Sequence, residues 1–195
     1  MVSCGQHPAA FRRQRLCFEL VFEHPFRVLG IDPGLTRCGY AVVDGSSPSS
    51  ATAVTLGVLR TPPADALPQR LAELAGRLTA LLDEYRPAAV AVEQVFFQVN
   101  VRTAMSVGQA SGLALAIAAA RGCEVVQYSP NQVKDAVAGW GGADKAQVAK
   151  MVKLRLGLAA LPKPADAADA AALALCHLAM APLRASVAAQ IAGGR

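Results

Sequence analysis

Apolar residues recur along this chain in two rhythms, short continuous or alternating runs and a spacing near 3.6, and their order predicts a layered α/β domain. Arg27–Asp32 reads as a short buried strand ending at the turn Pro33-Gly34. Gly39–Asp44 returns as a second strand, Gly45 to Ser50 make a polar loop, and Val54–Leu59 completes an antiparallel meander. From Pro68 to Tyr85, apolar side chains at 71, 74, 75, 78, 81, 82 and 85 fall on one helical stripe. Pro87 stops that helix. Ala88–Glu93 is then almost wholly apolar, the pattern of a strand covered on both faces and paired in parallel.

The second half continues in the same manner. Thr103–Arg121 is a helix rich in small residues, and Glu124–Tyr128 is a fifth strand. Ser129, Pro130 and Gln132 supply an N-cap, a first-turn proline and the N3 partner of a capping box. Gly139-Trp140-Gly141-Gly142 breaks the chain, and a second capping box from Asp144 to Gln147 leads the basic helix Lys145–Leu156. Pro162 and Pro164 introduce a last helix, roughly Ala165–Ala181. The expected fold class is therefore α/β, a mixed five-stranded sheet flanked by helices in a single domain over 27–181, with 182–195 as a C-terminal tail. Residues 1–26 lack periodicity and are read as an N-terminal extension, either a mobile arm or the product of an upstream start codon.

Composition narrows the class. The 195 residues, 53% hydrophobic and 17% charged, suit one folded domain and exclude disorder. Five scattered cysteines without a C-x-x-C pair fit reduced thiols in the cytosol and lack zinc-ligand spacing. The three histidines are too dispersed for a histidine-based metal site. The longest apolar run, Leu113 to Ala120, is far below the roughly 20 residues of a spanning helix. FRRQRLCFELVF is interrupted by Glu19 and Glu23 shortly after its basic start and has no cleavage site, so a cytoplasmic protein is expected. The formal charge of +5 is modest, but from Val101 to Lys163 eight basic residues face three acidic ones. That surplus serves either phosphate binding or simple solubility.

Four acids stand out against this basic background. Asp32 and Glu93 leave the ends of two apolar strands, and Asp166 and Asp169 lie three apart at the start of the last helix. Each has a bland explanation: Asp before Pro-Gly forms turns, and acids at helix starts favour the dipole. Glu93 directly after AVAV is harder to dismiss, because an uncompensated buried carboxylate is costly. If the first and fourth strands are parallel neighbours, Asp32 and Glu93 emerge at one edge, about 4.8 Å apart in the pairing direction. Four carboxylates brought together need cations, and hard oxygen ligands select Mg²⁺ or Mn²⁺. Such a cage in a basic protein points to phosphodiester chemistry on nucleic acid.

In GIDPGLTRCGYAVVD, VAVEQVFF, the GQASG helix, SPNQVKDAV, ADKAQVAKMV and ADAADAAALAL, the chain resembles the RuvC family of Holliday junction resolvases, from about Arg27 to Ala181. The resemblance implies a ribonuclease H-like fold and a four-way DNA junction as substrate, cut by symmetric paired nicks. It places the family's metal-binding acids on Asp32, Glu93, Asp166 and Asp169, with Mg²⁺ as cofactor (two ions per subunit, Mn²⁺ an option). It also implies DNA-facing roles for Lys134 and Lys145, otherwise ordinary surface lysines, and for Phe96, which would stack on unpaired bases and is otherwise a core or loop anchor. A homodimer and the RuvA–RuvB branch-migration complex are the implied partners, with Thr103–Arg121 the candidate dimer seam. Residues 1–26 depart from the family, whose members begin close to the first strand. The competing readings are a nuclease for another branched DNA or an RNA–DNA hybrid, an actin-like kinase lobe suggested by the GIDPGLT turn, and a non-catalytic junction-binding module.

Overall fold

The computed structural model describes residues 26–95 and 101–193. Five strands, β1 (Phe26–Asp32), β2 (Arg37–Gly45), β3 (Thr52–Arg60), β4 (Ala89–Glu93) and β5 (Glu124–Tyr128), form one mixed sheet in the order β3-β2-β1-β4-β5. The meander β1-β2-β3 is antiparallel, while β1–β4 and β4–β5 are parallel. Ile31 pairs with Val92 and Glu93 with Tyr128, so the carboxyl ends of the three central strands open at the same edge.

The sheet separates two cores, as the apolar runs require. One face of β1 and β4, including Leu29, Ile31, Val90 and Val92, packs with α1 (Leu67–Tyr85) and α2 (Val101–Ala120). The other face, including Val28 and Ala91, packs with α3 (Pro130–Ala138), α4 (Lys145–Arg155) and α5 (Ala165–Gly193). Both capping boxes form: Ser129 accepts from the Gln132 N–H and Asp144 from the Gln147 N–H, with the glutamines reaching back.

Helix α5 differs most from expectation. It continues through Pro182 to Gly193 rather than ending at Ala181, so 182–193 extend the helix. A proline costs a helix a backbone donor and crowds the preceding turn. Four residues on, Ser186 Oγ donates to the Pro182 carbonyl at 3.0 Å. From Ala165 to Arg184 the helix is long and apolar enough to cross a membrane by composition, yet 61% of that stretch is buried within the fold. It is a core helix. His177, 1% exposed, belongs to that core: its Nδ1 meets the Tyr128 hydroxyl at 3.1 Å and its ring stacks on Phe26. Burial pulls its pKa down to about 4. Cys38, Cys123 and Cys176 are free thiols.

Candidate metal centre

Two glycines let α5 touch the sheet through its backbone. A Cβ on Gly30 would lie 2.0 Å from the Ala170 carbonyl oxygen, and one on Gly39 would lie 2.1 Å from that of Asp166. Gly39 pairs with Asp32 across β1 and β2. Val28 and Gly30 face α5, so Asp32, two residues further on, emerges on that side. The strand ends and the N-terminal part of α5 thus bring together residues that are over 130 positions apart in sequence order.

Asp32 and Glu93 meet directly. Both are partly buried, and the Asp32 carboxyl donates a hydrogen bond to the Glu93 carboxylate. Burial first, then repulsion from Glu93, Asp169 and Asp166, pushes the Asp32 pKa up to about 7. Glu93 is also raised, chiefly by burial, with Asp169 adding repulsion and the bond from Asp32 opposing it. Both shifts run in the direction expected of two carboxyls that resist ionising side by side.

Asp166 and Asp169 are neutralised differently. Arg37, at the start of β2, grips Asp166 in a forked ion pair, its Nε 3.1 Å from Oδ2, and this holds Asp166 below the usual carboxylate range. Lys145, the first residue of α4, places Nζ 3.2 Å from Asp169 Oδ2. Asp169 raises the Lys145 pKa most, and Asp32 and Glu93 add to it. Only Asp166 lies in the first turn of α5; Asp169 sits a turn deeper, beyond the reach expected from the sequence.

All four acids therefore lie within electrostatic reach of one another, with Asp32 sensing the other three. Among the described residues, no three Asp, Glu, His or Cys side chains close up far enough to hold an ion. Asp166 and Asp169 instead lean onto Arg37 and Lys145. A donor set of anionic, partly desolvated oxygens under mutual repulsion fits a hard divalent cation.

The remaining candidates separate. Lys145 is at the centre. Lys134 lies on α3, and neither a hydrogen bond nor an ion pair links it to a carboxylate among the described residues. Phe96 lies outside the described residues. Arg37 was not singled out by sequence. Its only signal was a basic residue opening the second strand, and what recruits it is the fold, which sets it beside a helix start 129 positions away.

Three comparisons bear on this arrangement. The profile of the family described as "Crossover junction endodeoxyribonuclease RuvC" matches residues 28–177. Proteins of that description from Frankia alni and Leifsonia xyli are each 56% identical to this chain, over 164 residues (82% of this chain, 83% of the relative) and 151 residues (77% and 73%). The solved structure of Thermus thermophilus RuvC in complex with Holliday junction substrate superposes with a TM-score of 0.77 at 40% identity, covering 81% of this chain and 96% of that one. The yeast mitochondrial Holliday junction resolvase shares the fold, with a TM-score of 0.60 at 18% identity over 86% of each chain.

Proposed function

The chain belongs to the RuvC family of crossover junction endodeoxyribonucleases, and we propose that Asp32, Glu93, Asp166 and Asp169 are the residues with which it cuts DNA. The protein is a metal-dependent hydrolytic nuclease that resolves Holliday junctions in recombination and repair. One observation supports the site assignment: α5 is seated against the strand ends so that Asp166 and Asp169 join Asp32 and Glu93 at one sheet edge, near enough for the other three acids to push the Asp32 pKa up.

In this reading the four carboxylates hold Mg²⁺, two ions per subunit, with Mn²⁺ able to substitute. The bound cations supply a low-pKa water and charge neutralisation for in-line displacement at phosphorus. Asp32, surrounded by the other three acids, would be a central ligand and would bind in its ionised form. Asp169 would bind in place of its contact with Lys145, whose ammonium could then face a phosphate oxygen. Lys134 adds a further positive group on the DNA side, and Phe96 stacks on unpaired bases at the junction centre, where each stacked base is worth about 1–3 kcal/mol.

A four-way junction with near two-fold symmetry calls for a two-fold enzyme, one site per opposed strand. The homodimer seam is assigned to α2, where Gly108 and Gly112 adjoin open space and leave room for a second helix. A cytoplasmic location and action beside the RuvA–RuvB complex complete the proposal.

The test is an immobile synthetic four-way junction against matched linear duplex, with Mg²⁺ or with EDTA. Paired symmetric nicks in the junction alone, and only with Mg²⁺, are expected. Equal cutting of linear duplex, or cutting in EDTA, overturns the reading. Preference for a Y-branched DNA or an RNA–DNA hybrid moves the substrate to the competing nuclease class.

A further inference from the structure

Between Lys145 and Lys163 the chain carries five basic residues and no acid: Lys145, Lys150, Lys153, Arg155 and Lys163. On α4 these do not share a face. Lys145 turns toward Asp169, while Val148 and Val152 are buried against the core. Lys150 follows Lys145 by five residues, so it is turned about 140° away around the helix. That outer face also carries the half-buried Met151 and Leu154, which is 72% exposed.

Trp140 folds back onto this face from the loop joining α3 and α4. It is 57% exposed, and its ring covers Gly142 so closely that a Cβ there would lie 2.1 Å from a ring carbon. Ala138, Trp140, Gln147, Lys150 and Met151 line a shallow groove of about 270 Å³. Lys150, Lys153 and Arg155 make no ion pair with a described residue. Of the acids nearest the loop, Asp144 accepts from the Gln147 N–H at 2.7 Å, and the Asp135 carboxylate lies beside Gly141.

We propose that the outer face of α4, with Trp140, is a second DNA contact that grips the backbone of a junction arm away from the point of cutting. The proposal rests on the Holliday junction reading of the centre and extends it. Charge and continuity select the occupant. Unpaired lysines attract a polyanion, and the patch lies on the same helix that carries Lys145 at the carboxylates, with Lys150 five residues further on. The indole offers a flat apolar face and a donor-only N–H, which suits a deoxyribose flanked by phosphates held by Lys150 and Lys153. Contacts of this kind fix register and orientation and carry no base sequence.

Trp140 is the single tryptophan of the chain, so its emission reports this face alone. The experiment titrates the full-length protein, in EDTA, with a long-armed four-way junction, with linear duplex and with polyglutamate as an acidic polypeptide. The junction is expected to shift or quench Trp140 emission saturably, with the midpoint found independently by gel shift. Lys150→Ala/Lys153→Ala, checked for an unchanged melting temperature, should weaken junction binding about tenfold and lower the slope of log K against log salt by about 2. Junction binding with unchanged emission and unchanged salt slope overturns the proposal. A response to polyglutamate but not to DNA also overturns it, by assigning the face to an acidic protein partner. Absence of any junction binding by gel shift would instead sink the functional reading beneath it.

Discussion

Asp32 is the residue on which the proposed chemistry and the pH-dependent stability of the site both turn. Its pKa is raised from an unfolded value near 4 to about 7, so the folded metal-free protein holds a proton that the unfolded chain would release. The sign follows from linkage: this contribution is fully present below about pH 4 and is lost as pH rises through about 7. Metal-free protein should therefore melt lower at pH 8 than at pH 5, and Asp32→Asn should flatten that slope. Allowing for partial exposure, the variant should gain on the order of 2 kcal/mol at pH 8 without metal, read by thermal unfolding across pH. The same variant should cut junctions on the order of a thousandfold more slowly while binding them as well or better, because several kcal/mol of charge stabilisation go with the ligand. Retained Mg²⁺-dependent cutting by Asp32→Asn would refute its role. Arg37→Gln should raise the pKa of Asp166 and lower the Mg²⁺ concentration for half-maximal cleavage by about two- to threefold, since an exposed ion pair is worth at most about 1 kcal/mol. Asp32 and Glu93 were legible because each ends an apolar strand. Arg37 was not, since its partner is set by the fold rather than by local spacing.

At the scale of elements, the seating of α5 decides the geometry. Its backbone approaches β1 and β2 so closely that Gly30 and Gly39 cannot carry a side chain without displacing it. Gly39→Ala should cost about 1–3 kcal/mol, as overpacking does in other cores, measured by denaturant midpoint. It should also raise the Mg²⁺ requirement, because the clash falls on Asp166, one of the proposed ligands; unchanged metal activation in a folded variant would separate seat from site. Strands, turn and both capping boxes followed from period, proline and cap chemistry. That β4 pairs in parallel followed from its unbroken apolar run, while its neighbour β1 was only a condition in the sequence reading and is supplied by the fold. The length of α5 did not follow, because proline normally ends a helix and nothing local in the sequence reveals that this one is tolerated.

For the whole molecule, the sheet acts as a partition, with α1 and α2 on one side and α3, α4 and α5 on the other. The face carrying the acids is the face carrying the basic helix, so the proposed DNA contact and the proposed cutting centre lie on one side of the sheet. The opposite layer is left to serve the seam proposed at α2. If two copies act as one resolvase, a mixture of wild-type and Asp32→Asn subunits should yield mixed dimers that nick one strand and leave its opposed partner whole. Product analysis on a supercoiled cruciform plasmid would show nicked circles in place of linear molecules. Full resolution by the mixed dimer would show that one site can serve both strands. Dimerisation was suggested by resemblance and symmetry, since a single chain's pattern of apolar positions cannot distinguish a helix face meant for the sheet from one meant for a twin.

Arg37 and Lys145 have one more consequence. Sitting on Asp166 and Asp169, they act as resident counterions. Acids compensated in this way do not rely on a bound ion alone for charge balance, unlike small zinc domains that stay unfolded until loaded. If they hold the ions proposed for them, loading the centre is an exchange in which tethered cations give way to free ones.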